Sequence, residues 1–130
     1  MTKDEFIRKA VGVQWVRWGS DWQGMDCYGL VVRYYKDVLN IELPDVPQTE
    51  LAAGFETMGD IWEYCEEPKD GVGFMSYRGD VPTHCGVYIG DGWLLHSHGN
   101  PHTGGSVRMT KLDAMQRMFG KIAFYRMKQC

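Results

Sequence analysis

The chain has no long apolar run. Its hydrophobic stretches fall far short of the roughly 20 residues a helix needs to cross a bilayer. Its opening residues, Met1-Thr2-Lys3-Asp4-Glu5-Phe6-Ile7, carry acids and no apolar core, so a secretory signal is not expected. Positive charge is also scarce: 14 Lys and Arg against 17 Asp and Glu give a net charge of −3. With no basic patch interleaved with aromatics, nucleic acid is not expected as the main partner. The four cysteines (Cys27, Cys65, Cys85, Cys130) are scattered, without a disulfide framework or a Cys-x-x-Cys pair, and reduced thiols are the expectation. Repeats, linkers and low-complexity tracts are absent, so residues 1–130 read as one domain, and 130 residues suffice for its own core. Hydrophobic content of 44% with 13% aromatics is that of a globular chain rather than a disordered one.

What the chain does have is centred on Met25-Asp26-Cys27-Tyr28-Gly29-Leu30. Asp26 suits a helix N-cap, and Leu30, Val31, Tyr34, Tyr35 and Val38 follow at helical spacing. Cys27 then lies in the first turn, where the helix stabilises an anion and therefore a thiolate. Gly29 reads as room for something to approach the sulfur. The alternative is that Cys27 is a small buried hydrophobe, the commoner fate of an isolated cysteine. Upstream, Trp15, Trp18 and Trp22 fall within eight residues and either wall a binding cleft or pack as core aromatics.

In chain order, Thr2 to Val11 reads as an amphipathic helix, with Thr2 and Glu5 at capping-box spacing. The prolines of Asn40 to Pro47 mark an extended connector. Glu56 to Glu67, with Met58, Ile61, Trp62 and Cys65 near helical spacing, reads as another helix, which would make Cys65 a core residue. From Gly71 the period changes to two. Val72 to Tyr77 is a strand, Arg78 to Thr83 a connection, and His84 to Ile89 a second strand. Gly90-Asp91-Gly92 is a hairpin turn leading into Trp93 to His98. Gly99 to Gly105 reads as a flexible loop, Ser106 to Met109 as a short strand, Lys111 to Phe119 as a helix and Ile122 to Met127 as a last strand. Helices followed by serial antiparallel strands imply an α+β fold with the helices on one face of the sheet.

A thiol nucleophile needs a base, and the base needs an orienting partner. His84 and His96 lie on strands joined by a tight turn and can share a sheet face with Gly86 and Tyr88. Packing the Cys27 helix on that face would align the sulfur with both imidazoles. His98 and His102 sit in or beside the glycine-rich loop and are expected to face solvent. A metal reading of His96, His98 and their neighbours is weak, because adjacent His84 and Cys85 point to opposite faces and no ligand spacing occurs.

Asp26-Cys27-Tyr28-Gly29-Leu30-Val31, His84-Cys85-Gly86-Val87-Tyr88-Ile89-Gly90 and Leu94-Leu95-His96 together resemble the NlpC-type cysteine peptidases, papain-like cell-wall hydrolases with the pattern D-C-x-G-L-V, H-x-G-[IV]-Y-[IL]-G and a later H. Trp18-Gly19 falls where that family has W-G. Asp70-Gly71 falls near its G-D strand entrance, in reversed order. The resemblance implies a papain-like NlpC fold, N-terminal helices packed on an antiparallel β-sheet. It also implies Cys27 as nucleophile, His84 as general base, His96 as orienting residue, Trp15, Trp18, Asp26 and Tyr28 around the substrate, and no cofactor or metal. The implied substrate is the peptide stem of peptidoglycan, often cut between γ-D-glutamate and a diamino acid. Tyr28 and the tryptophan-rich lead-in are most similar to members found in bacteriophage tails. That implies synthesis in a bacterial cytoplasm, residence in the virion tail among tail-tip proteins, and local wall opening during DNA entry. A structural tail protein that keeps the fold with little activity is the alternative. Trp15, where the family usually has Tyr, and Cys85, where it has an aliphatic, are departures.

Overall fold

In this computed structural model of the chain, residues 1–44, 51–57 and 59–128 are described, the side chains of 52, 53 and 57 excepted. Expectations for residues 45–47 of the connector and for Cys130 lie outside them. Helix α1 (Lys3–Ala10) begins at Thr2, whose hydroxyl accepts from the Glu5 N–H while the Glu5 carboxylate accepts from the Thr2 N–H, the expected capping box. Its Phe6 and Ala10 are fully buried, and the Phe6 ring packs at 5.1 Å against both Trp22 and Tyr34. The glycine- and tryptophan-rich segment that follows holds a small ribbon, β1 (Ser20–Asp21) paired with β2 (Gly24–Met25). Helix α2 (Cys27–Leu39) starts at Asp26, as its capping side chain dictates, and stops at Asn40, which turns the backbone left-handed at φ 57°. Helix α3 (Leu51–Thr57) is short.

The rest is mostly an antiparallel sheet: β3 (Trp62–Cys65), β4 (Gly73–Arg78), β5 (Val81–Tyr88), β6 (Trp93–Asn100), β7 (Gly104–Lys111) and β8 (Lys121–Met127), in spatial order β3-β8-β4-β5-β6-β7. Helix α4 (Leu112–Phe119) lies between β7 and β8 in sequence. The fold is α+β, with α1 and α2 packed on one sheet face over Met75, Cys85, Val87, Leu95 and Val107. The opposite face is not left to solvent. Phe74, Leu94 and Phe124 meet Met115 of α4 there, in a second, smaller core.

Several sequence expectations are corrected. The Glu56–Glu67 helix does not form: the chain turns at Gly59-Asp60, and Trp62–Cys65 pairs with β8 instead. Strand alternation explains it, since Trp62 is buried and Tyr64 is 62% exposed. Cys65 is accordingly a strand rather than a helix residue, half-buried and packed against the smaller core. Arg78 to Thr83 is a tight hairpin rather than a connection. Val81, Pro82 and Thr83 belong to β5, and a register break between Ser76 and Tyr77 accommodates Pro82. Gly99 to Gly105 is no flexible loop either: β6 and β7 extend through it, and the Asn100 carboxamide oxygen accepts from the His102 and Thr103 N–H groups to close the turn.

Candidate active site

Alternation along β5 sends His84, Gly86 and Tyr88 to the α4 face and Cys85, Val87 and Ile89 to the α2 face. Helix α2 therefore packs on the face opposite His84, not on the shared face the sequence suggested. Cys27 and His84 nevertheless line one cleft of about 540 Å3. The reason is the pairing of β5 with β6, which holds only at Val87↔Leu95 and Tyr88↔Leu94. Beyond those positions the strands leave the ladder. The cleft draws its walls from both faces: Cys27, Met75 and Ser97 from the α2 side, His84, His98 and Phe119 from the other.

Across this opening the two imidazoles meet. His84 Nε2 lies 2.9 Å from His96 Nδ1, and His96 Nε2 lies 2.8 Å from Thr110 Oγ1. Gly86 makes the approach possible, because a Cβ there would come within 2.6 Å of the Phe74 ring and 3.0 Å of His96 Cβ. The Phe119 ring stacks on His84 at 4.7 Å and 22°, which shields the imidazole from water. The His98 ring sits 5.5 Å from His84 and 4.9 Å from Phe119. His98 is exposed, as expected for a solvent-facing residue, but it lines the cleft; His102 is exposed in the turn.

The lead-in to Cys27 is fastened from several directions. Ser97 Oγ donates to the Met25 carbonyl at 2.6 Å, tying the residue before Asp26 to β6. Gln14 bridges to Ser106, and the Trp15 N–H donates to the Gly105 carbonyl at 2.9 Å, so the segment runs along the β7 edge. Asp26 accepts from the Gly29 N–H at 2.7 Å and, with its other oxygen, from the Trp18 N–H at 2.8 Å. Its carboxylate is thus committed to capping α2 and to holding Trp18 in a left-handed backbone at φ 59°. Trp15, Trp18, Asp26 and Tyr28 all line the cleft. The Tyr28 hydroxyl is buried near the Trp62 indole without a well-formed hydrogen bond.

A family model, that of the NlpC/P60 family, matches residues 12–119, a span that contains every residue named as lining the cleft, together with Cys27, His84 and His96. The chain belongs to the NlpC/P60 family. It is 34% identical over 113 residues to murein DD-endopeptidase MepH of Escherichia coli K12, an alignment covering 79% of this chain and 38% of MepH, so it spans well under half of that relative's length. Among solved structures it resembles the NlpC/p60 domain of the peptidoglycan hydrolase SagA, with TM-score 0.60 and 20% identity over 93% of this chain and 92% of that one. It also resembles an NlpC/P60 family protein of Bacillus cereus ATCC 10987, with TM-score 0.62 and 21% identity over 95% of this chain and 39% of that one. These two likenesses establish the fold.

Electrostatics set the protonation of the NlpC/P60 cleft. Burial, then the nearby His96 and His98, hold His84 well below the ordinary histidine range, so it is neutral at pH 7. Burial, with help from His98 and Arg108, pushes His96 down to about 4. Cys85, against the Cys27 thiol, is raised well above the usual thiol range by that hydrogen bond and by burial, and stays protonated. For a histidine whose folded value is depressed, the unfolded chain binds the proton more readily. The stability it contributes is present above the unfolded value near 6.5 and is lost as pH falls toward the folded value. At about 1.4 kcal/mol per unit, His96 alone is expected to cost roughly 2–3 kcal/mol between pH 7 and pH 4.5. Urea midpoints at the two pH values check this, and His96→Gln should flatten the difference. Equal midpoints for the native chain would contradict neutral burial.

Sequence reasoning missed Phe119, Thr110 and the cleft position of His98. Thr110 and Phe119 reach the histidines only through the β6–β7 register and the crossing of α4, which no local spacing announces.

Proposed function

We propose that the chain is a cysteine endopeptidase that hydrolyses amide bonds in the peptide stems of peptidoglycan. The observation that carries this is the cleft itself: a cysteine in the first turn of α2 opposite a buried, neutral imidazole whose Nε2 is already bonded to a second imidazole. Only Nδ1 of His84 is left without a partner among the described residues, and it is the atom to receive the Cys27 proton. That role needs His84 protonated on Nε2, donating to His96 Nδ1, with His96 Nε2–H donating to Thr110 Oγ1. In this arrangement His96 fixes the tautomer and ring plane of His84. The Cys27 sulfur attacks the substrate carbonyl, and the backbone N–H of Cys27 at the helix N-terminus faces the oxyanion. His84 returns the proton to the leaving amine, and water then releases the acyl group from sulfur. Trp15, Trp18 and Tyr28 supply apolar walls for the peptide. Asp26 acts through the backbone it holds.

Membership of the NlpC/P60 family and likeness to a murein endopeptidase support the peptidoglycan stem as substrate. Digestion of purified peptidoglycan with the chain, followed by mass spectrometry of the soluble fragments, tests the reading. Stem-peptide fragments are expected, and their ends name the bond. Intact wall material after prolonged incubation would overturn it. We further propose, from Tyr28 and the tryptophan-rich lead-in, that the domain serves in a bacteriophage tail and opens the wall locally during DNA entry, its partners being tail-tip proteins. A structural tail component without activity is the rival that the same digestion separates.

A further inference from the structure

Among the described residues, the charge lining the cleft is opposite in sign to that of the chain. The whole sequence carries −3, yet among the described residues the charged side chains lining the cleft are Arg17, Arg78 and Asp26. Asp26 has each oxygen already accepting a backbone N–H, from Gly29 and from Trp18, which leaves the two arginines as the charged donors of this lining. Neither arginine forms an ion pair with any described residue. Arg17 lies with its guanidinium 5.7 Å over the Trp18 ring, a cation–π contact that leaves its donors free. Arg78 ends β4 beside the β4–β5 turn.

Sheet order fixes where these two cations stand. Arg78 is on β4, to one side of β5. Arg17 follows Gln14 and Trp15, which are bonded to Ser106 and Gly105 on β7, to the other side of β6. The opening between β5 and β6, with Cys27 and His84 at its walls, lies between them. An extended peptide laid across the cleft therefore passes one arginine before the reacting sulfur and the other after it.

We propose that Arg17 and Arg78 select peptides bearing a free carboxylate on each side of the scissile amide. The inference rests on this cleft being the peptidase site, and it names the class of peptide the site takes. Guanidinium groups suit the task, because each can hold a carboxylate through two parallel N–H donors. Both arginines are exposed, so the preference weakens as salt screens it. A peptide of the form L-alanyl-γ-D-glutamyl-diaminopimelate meets the requirement: the glutamate α-carboxylate lies on one side of the γ-amide and the diamino acid's carboxylates on the other.

The experiment is a titration of the uncleaving Cys27→Ala chain, followed by tryptophan fluorescence. Its probes are that tripeptide and the same tripeptide with the glutamate and diamino-acid α-carboxylates converted to carboxamides. The acid form is expected to bind about tenfold more tightly for each carboxylate at low salt, the gap shrinking at high salt. Arg17→Gln and Arg78→Gln should each remove part of the gap while leaving the affinity for the carboxamide form unchanged, and Arg17→Lys should restore some of it. Equal affinities for the two forms would overturn the proposal, as would a gap that neither substitution narrows, or failure of both peptides to bind at millimolar concentration. Turnover of the acid peptide by the native chain is read alongside. Discrimination without turnover leaves the carboxylate selection standing and removes the peptidase reading; turnover without discrimination does the reverse.

Discussion

Cys27→Ala is expected to lower turnover of peptidoglycan stem peptides by roughly ten-thousandfold or more, the scale on which nucleophile deletions act when the remaining machinery stays in place. Among the described residues, no other group in the cleft can stand in for the sulfur. Cys85 is the nearest thiol, but its hydrogen bond with Cys27 and its burial hold it protonated, and it belongs to the core between β5 and α2. A neutral His84 can take a proton and lacks a sulfur to take it from. The substitution deletes one half-buried atom and its hydrogen bond with the Cys85 thiol, while the bonds that seat the start of α2 and the imidazoles survive: the Asp26 cap, the Ser97 tie to Met25, the imidazole pair. The melting temperature should therefore stay within a few degrees, on the order of 1 kcal/mol or less in stability. Peptide-release kinetics with matched circular dichroism check both halves. Residual turnover within tenfold of the native chain would take Cys27 out of the reaction.

How far the site was readable from sequence depends on the range of the interaction concerned. The Asp26 cap, the Thr2–Glu5 box and the Gly90–Gly92 turn are local, and each is where residue chemistry puts it. The pairing of His84 with His96 was also legible, because a tight turn and strand alternation place both side chains on one face. What lay beyond reach was tertiary. The Glu56–Glu67 segment carries helical spacing, yet its aromatic half gains more by joining β8, where Tyr64 packs on Tyr125 at 6.1 Å. Which face α2 would cover was misread for a related reason. The reading assumed an intact ladder, whereas β5 and β6 part after two pairs and let a cysteine from one side share a cleft with a histidine from the other. Phe119 stacks on His84 only because α4 crosses the sheet face opposite α1 and α2, whereas the helices were expected together on one face.

The largest effect on stability is expected at Gly29, whose role differs from the one its place beside the sulfur suggests. An alanine in an exposed helix interior is ordinarily better than glycine by about 1 kcal/mol. Here the sign reverses. A Cβ at Gly29 would overlap the Gly19 carbonyl oxygen outright and stand 2.7 Å from the Gly19 carbonyl carbon and 3.0 Å from Asp26 Oδ1. Gly29 thus makes room for backbone, not for substrate. The obstructing group is itself fixed: the Gly19 carbonyl accepts the Asp26 N–H at 3.0 Å, and a Cβ at Gly19 would in turn stand 3.0 Å from the Gly24 carbonyl carbon. Three glycines let the β1–β2 ribbon and the first turn of α2 stack backbone on backbone, and Asp26 bonds both layers. Relief of the clash requires the ribbon to lift, which breaks the Asp26–Trp18 and Asp26–Gly19 hydrogen bonds together. Gly29→Ala is expected to destabilise the fold by about 3 kcal/mol or more, at or beyond the upper end for overpacked sites. Any folded fraction should also be a poor enzyme, because Cys27 and Trp18 shift with the ribbon. Urea unfolding measures the first effect and turnover per folded molecule the second. A variant as stable as the native chain would mean that the glycine stack is not what seats Cys27.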